Sequence, residues 1–183
     1  MKEAISGDKA KALADFEHAY KLSPNLTLAL YNKAALLAIA GQAKEAIVCY
    51  SEVLNARPNL AQAYYNRGLA HQDLASRMVS LRGPSWRAES GLELQKAIAN
   101  YDKCLKLSGR CAQAFYNRGF AYYCLGQFEQ AFFDFEKAQN LLPMLEAAKF
   151  NKNSTAAVLK KPVDPINSAP PSAPIGPVGP PWQ

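Results

Sequence analysis

Histidine is scarce in this chain, with only His18 and His71 among 183 residues. Neither belongs to a His-Glu-x-x-His pattern. His71 holds a position that Leu37 and Tyr122 take elsewhere, with no cysteine or carboxylate cluster in its sequence neighbourhood, so it reads as a packed ring rather than a base or ligand. Cys49, Cys104, Cys111 and Cys124 form no Cys-x-x-Cys pair and no close metal-type spacing. That excludes a zinc module and a disulfide framework, and leaves reduced packing thiols. A phosphate-cradling glycine loop and a Gly-x-Ser-x-Gly elbow are also missing. No catalytic, metal or cofactor site is expected, and the chain reads as a non-enzyme. No apolar run approaches the roughly 18 residues of a membrane span. The opening Met-Lys-Glu-Ala-Ile-Ser-Gly-Asp lacks the apolar core of a secretory signal, so no membrane and a cytoplasmic setting are expected.

Strong charge of one sign is missing too. The formal net charge is +6, and the basic excess sits in residues 61–110 and 146–183. A nucleic-acid binder more often carries a continuous basic stripe. The charge is read mainly as solubility, with an acidic partner near residues 61–110 as a second reading.

What the sequence has is a beat. Ala63-Tyr64-Tyr65-Asn66-Arg67-Gly68 returns as Ala114-Phe115-Tyr116-Asn117-Arg118-Gly119. A weaker copy begins at Ala29 and a worn one at Ala148. Asn32, Asn66, Asn117 and Asn151 are spaced by 34, 51 and 34 residues, and Phe16, Tyr50, Tyr101 and Phe135 keep the same spacing. So do Ala12, Ala46, Ala97 and Ala131. Pro24, Pro58 and Pro143 close three units, with Gly109 at the equivalent place in the other. A fixed period near 34 is the signature of stacked helical pairs. Gly68 and Gly119 are small where a partner helix must come close, and a proline after each second helix stops it.

This register resembles the tetratricopeptide repeat family over roughly residues 1–160. The resemblance implies an all-α, right-handed solenoid of helix-turn-helix units with a concave face that binds partners. The units then read as follows: residues 1–26, an incomplete first unit; 27–60, complete; 61–111, with a 17-residue insertion at about 75–91; 112–145, complete; 146–161, a capping helix. In the insertion, Ser90-x-x-Glu93 has the form of a capping box opening the second helix, and Gly83-Pro84 marks the tip. Arg82, Trp86 and Arg87 there resemble an interface hot spot. The opening unit reads either as an unusual cap or as a start inside a longer array, which raises self-association.

Eight of the 12 prolines fall in residues 162–183, which cannot be helix and read as a disordered, extended tail. It is expected to stay free, to serve a reader of proline-rich motifs, or to lie in the chain's own groove.

The concave face implied by the family is built from the second, fifth, sixth, ninth and twelfth positions of each first helix. Here it gives Tyr31 and Asn32, then Gln62, Tyr65, Asn66 and Leu69, then Gln113, Tyr116, Asn117, Phe120 and Tyr123. These are the candidate partner-binding residues. Asn amides can pair with an extended backbone and tyrosines offer stiff apolar area. The competing reading is that the Asn and Tyr side chains join adjacent units. One subclass of the family clamps the acidic C-terminal tails of chaperones with Lys and Arg. Here Tyr31 or Tyr65 replaces its first Lys, Gln113 and Asn117 replace its last Lys and Arg, and only the central Asn is matched, so chaperone tails are disfavoured. The function expected is a protein–protein interaction scaffold that takes a peptide segment. A fragment of a longer structural or self-assembling solenoid and a nucleic-acid-binding repeat are the alternatives.

Overall fold

The computed structural model describes residues 27–81 and 86–160, with Lys11, Ala14, Asp15 and His18 as isolated helical positions. The expectations for residues 1–26 and 162–183, for Arg82 and for the side chain of Trp86 lie outside the described residues. Among the described residues every regular element is a helix: α1 (Thr27–Ile39), α2 (Ala43–Ala56), α3 (Ala61–Leu81), α4 (Trp86–Leu107), α5 (Ala112–Cys124), α6 (Phe128–Leu141) and α7 (Glu146–Leu159). Each packs mainly on its neighbours in sequence. Successive first helices (α1 on α3, α3 on α5) also touch. The result is a helix-turn-helix solenoid.

Two glycines set the length of the first helices. Gly41 and Gly126 adopt φ of +79° and +76°. Around each, a six-residue and a four-residue hydrogen bond close the helix end: Gln42 N–H to Leu37 O at 2.8 Å and Gly41 N–H to Ala38 O at 3.0 Å, repeated by Gln127 to Tyr122 and Gly126 to Tyr123. This is the Schellman stop, and it needs a residue that tolerates the left-handed region. The equivalent position in the middle unit is Ala75, which is buried in helix α3. With no glycine to turn the chain, α3 runs on to Leu81 and α4 begins at Trp86. These helices have 21 and 22 residues where the others have 13 or 14. The hairpin therefore projects by about eight residues, roughly 12 Å, past its neighbours. Ser90 lies inside α4, its hydroxyl donating to Arg87 O at 3.3 Å, so it does not open the helix as a capping box would.

Aromatic rings fill the space between the helices of a pair. Tyr50, Tyr65, Tyr101, Tyr116 and Phe135 are essentially fully buried. Tyr31 meets Tyr50 edge-on with centroids 5.7 Å apart, Tyr65 meets Tyr101 at 5.8 Å and Tyr116 meets Phe135 at 5.5 Å. The second ring of each pair needs a small residue opposite. A Cβ on Gly68 would stand 2.8 Å from the Tyr101 ring, and one on Gly119 3.1 Å from Phe135. In α7 the same position holds Asn153.

Arginines tie the first helices α3 and α5 to the second helices on either side. Arg67 donates from Nε to Asn100 Oδ1 (2.8 Å) and from Nη1 to Ser51 Oγ (3.0 Å). One unit later Arg118 makes the same bridge to carboxylates: two bonds of 2.7 Å to Asp134 and one of 2.6 Å to Asp102. Burial holds the Asp134 carboxyl above its ordinary range in spite of Arg118, and desolvation lowers Arg67. Arg118→Met leaves Asp134 buried without a cation and is expected to cost about 3–5 kcal/mol. Arg67→Met, whose partners are neutral, is expected to cost about 1–2 kcal/mol. Urea unfolding followed by circular dichroism compares them, and equal losses would refute a charge-specific role for Arg118.

Candidate partner-binding face

The repeated Tyr-Asn pairs form a ladder that runs from unit to unit. Asn66 Nδ2 donates to Tyr31 Oη at 2.8 Å, Asn117 Nδ2 to Tyr65 Oη at 2.8 Å and Asn151 Nδ2 to Tyr116 Oη at 3.0 Å. Tyr65, Tyr116, Asn117 and Asn151 have no exposed surface, and Asn66 is 8% exposed. Desolvation raises the phenols of Tyr65 and Tyr116 above their ordinary range. These side chains join units. Their burial keeps them from a partner unless the stack opens.

The other candidate residues divide between interior and surface. Tyr123 is buried against Phe128, edge-on with centroids 5.3 Å apart. Tyr31, Asn32, Leu69, Gln113 and Phe120 are half-buried, and Gln62 is exposed. Leu28, at the second position of α1, is 64% exposed. The open surface of the first helices is thus carried by positions two and nine: Leu28 and Ala35 on α1, Gln62 and Leu69 on α3, Gln113 and Phe120 on α5. A cavity of about 310 Å³ between α1 and α3 is lined by Thr27, Leu28, Tyr31, Arg57, Leu60 and Gln62. Arg87, from the insertion, is exposed and borders a second cleft at the far end of α5.

Reading the sequence by neighbourhood missed one polar cluster. His71 Nδ1 lies 2.7 Å from Glu93 Oε2, both side chains about 10% exposed, and Lys96 Nζ reaches Glu93 Oε1 at 2.6 Å. The signal was present: counting back equally from the Gly83-Pro84 tip sets His71 opposite Lys96 and Glu93 on the antiparallel helix. Burial lowers the His71 pKa, outweighing Glu93. Burial also pushes Glu93 up, but hydrogen bonds from Lys96 and His71 bring it below the ordinary carboxylate range. The imidazole is accordingly neutral, its Nδ1–H donating to Glu93. Nearby, Tyr101 Oη donates to Gln72 Oε1 at 2.6 Å. Cys111 occupies the N-cap position of α5, and a hydrogen bond from Cys104 holds its thiol below the ordinary range in spite of burial. Both cysteines are buried in the α3–α4–α5 core. Among the described residues no group of three or more His, Cys, Asp or Glu side chains could hold a metal ion, and no helix is long and apolar enough to cross a membrane.

A stack of antiparallel helix pairs closed by glycine stops, joined by ring-to-glycine contacts and open along its first helices, is a repeat scaffold of the helix-turn-helix class. Residues 36–74 match the TPR repeat model, and residues 112–144 match the Tetratricopeptide repeat model. The chain carries tetratricopeptide repeats over these residues. Solved structures share the fold. The crystal structure of MamA is 21% identical with a TM-score of 0.70, covering 86% of this chain and 82% of MamA. The first TPR of Spaghetti (RPAP3), bound to the HSP90 peptide SRMEEVD, is 22% identical with a TM-score of 0.60, covering 74% and 94%. The second TPR domain of human RPAP3, in complex with the HSP70 peptide SGPTIEEVD, is 21% identical with a TM-score of 0.58, covering 69% and 92%. No curated protein sequence matches the chain.

Two outcomes follow from this geometry. Asn117→Ala strands the buried Tyr65 hydroxyl and is expected to cost about 1–3 kcal/mol, while Asn117→Leu with Tyr65→Phe removes both partners and costs less than the single change. Thermal melts of the native chain and the two variants decide it, and a double variant that loses as much as Asn117→Ala or more would refute the ladder. The second outcome concerns pH. His71 is held neutral in the fold below its ordinary pKa, so the unfolded chain takes up the proton first and stability falls as pH drops through the ordinary histidine range. Glu93, with its lowered pKa, adds a loss only at more acid pH. Between pH 7.5 and 5.5 the urea midpoint is expected to fall further in the native chain than in His71→Leu. Parallel falls would assign the acid sensitivity elsewhere.

Proposed function

We propose that the chain is a non-enzymatic protein-interaction scaffold whose concave face takes an extended peptide segment of low charge. The observation that carries this is the composition of the accessible positions. Leu28, Ala35, Gln62, Leu69, Gln113 and Phe120 contain no ionisable group. Gln62 and Gln113 each offer a donor and an acceptor to a peptide backbone, and Leu69 and Phe120 supply apolar contact between them. Of the structural relatives, the RPAP3 domains are bound to peptides ending in acidic EEVD. On this chain Gln113 and the buried Asn117 stand where a carboxylate clamp needs cations. The partner segment is therefore uncharged where it crosses α3 and α5, and acidic chaperone tails are poor ligands.

The test is photo-crosslinking in cell extract, with benzoyl-phenylalanine placed at Gln62 or Gln113 and, as controls, at the exposed Val48 and Lys137 of the second helices. Specific adducts are expected from the first pair alone. Leu69→Ala with Phe120→Ala is expected to cut capture at least tenfold, about 1.4 kcal/mol or more, with an unchanged helical spectrum. Equal adducts from both sets would refute a concave-face site.

A further inference from the structure

The insertion does more than lengthen a hairpin. It walls a cleft of about 520 Å³ lined by Ala75, Ser76, Val79, Arg87, Ser90, Gly91, Leu94, Phe120, Cys124 and Leu125. Three elements meet there: the extension of α3, the first turns of α4 and the C-terminal end of α5. The walls are mostly apolar, and Val79 remains 42% exposed. The volume lies within the range of small-ligand pockets and suits one large ring with a neighbouring small residue. Ser76 gives its hydroxyl proton to Gln72 O at 3.0 Å, which leaves its oxygen an acceptor for an N–H at the rim. The site asks for an apolar, weakly charged segment carrying a ring with an N–H.

We propose that this cleft is the docking site of the chain's own proline-rich segment, residues 162–183, with Trp182 as its anchor. The proposal extends the concave-face reading, because Phe120 serves both. Three observations select this occupant. First, position: α7 and α5 begin at equivalent repeat positions, and their last residues, Leu159 and Cys124, are 35 apart against a period of 34. Both first helices thus end at the same edge of the solenoid, where the cleft lies, separated by about one helix-packing distance, roughly 10 Å. Second, reach: at about 3.1 Å per residue a proline-rich strand of this length spans up to roughly 65 Å, ample for Trp182 to enter the cleft. Third, chemistry: after Lys161 the segment holds no Lys or Arg and the single acid Asp164, and its other side chains are Pro, Val, Ile, Ala, one Trp and the neutral polar Asn167, Ser168, Ser172 and Gln183. Proline-rich chains lose little entropy on binding and present an unpaired backbone, and Trp combines a large apolar ring with a donor. A tail so placed competes with any partner that uses Phe120.

The full chain contains its own probe. Cys124 lines the cleft and is exposed, while Cys49, Cys104 and Cys111 are buried. Gln183→Cys keeps Trp182 and sets a thiol beside it, and Ser172→Cys places one in the same segment away from the anchor. A free tail gives every position a similar effective concentration, on the order of millimolar. Desolvation pushes the Cys124 thiol up to about 11, which slows both reactions alike. With oxidised glutathione, the Gln183→Cys chain is expected to close an intramolecular disulfide to Cys124 about tenfold faster than the Ser172→Cys chain, equivalent to about 1.4 kcal/mol of anchoring. Adding Trp182→Ala or Phe120→Ser is expected to abolish that advantage, and Cys124→Ser to abolish the product. Equal rates at the two positions, or no effect of Trp182→Ala, would overturn the proposal. Disulfide-linked dimers in place of closed monomers would overturn it too, in favour of a second copy's segment. Either failure leaves the crosslinks at Gln62 and Gln113 as a separate result, so the two readings fall independently.

Discussion

Each unit of this protein offers a phenol oxygen, and the next unit's asparagine donates to it. That bond, made three times from Tyr31 to Asn151, fixes how far one first helix is turned against the next. A buried donor or acceptor without its partner is costly, so a unit cannot rotate or slide without losing several contacts together. The same tyrosines press their rings on Tyr50, Tyr101 and Phe135. One side chain per unit therefore couples the packing within a pair to the packing between pairs. The curvature of the face that partners would meet depends on this coupling.

The polar positions show why the stack and the binding face are hard to separate in a sequence. The recurrence of Tyr65-Asn66 and Tyr116-Asn117 revealed the fold because it is strict. Strict recurrence is also what an inter-unit joint requires, since every joint is the same. A partner does not repeat with a period of 34 residues, so residues that serve it need not recur. Leu28 shares its register position with Gln62 and Gln113, and Ala35 shares its own with Leu69 and Phe120, with no identity common to all three in either set, and these positions keep accessible surface. Solenoid, helix-pair units and inward rings were legible because burial imposes a period. The free surface was legible only as a register, and the split between sixth and ninth positions needed side-chain burial to see.

The insertion illustrates a single local cause with a distant effect. Seventeen extra residues were visible as a broken beat, and their direct cause is Ala75 in the place of Gly41 and Gly126. Without a residue suited to the left-handed region the helix continues, and its partner is obliged to start early to cover it. The lengthened pair then needs polar closure on its inner side. His71, Glu93 and Lys96 supply it, and Gln72 closes on Tyr101. The contacts of His71 with Glu93 and of Gln72 with Tyr101 are not legible from linear neighbours, because the hairpin brings together residues more than twenty apart.

The ladder has a direction, and its far end differs in kind. Phe150 occupies the tyrosine position of α7 and is 46% exposed, with no hydroxyl to offer a further asparagine. Three residues on, Asn153 stands where Gly68 and Gly119 admit a ring from the second helix. At these two register positions α7 therefore offers neither a phenol acceptor nor a glycine socket. The ties on the outer side strengthen toward that end. In the middle unit Arg67 bridges the neutral Asn100 and Ser51; in the last pair Arg118 bridges Asp134 and Asp102. In a solenoid, stability is a sum of unit and interface terms, and a bridge to carboxylates resists separation more than one to neutral groups. The part of the scaffold firmed by this bridge is thus α4 to α6, and the part better able to open is toward α1, where Leu28 and the cavity beside Tyr31 lie.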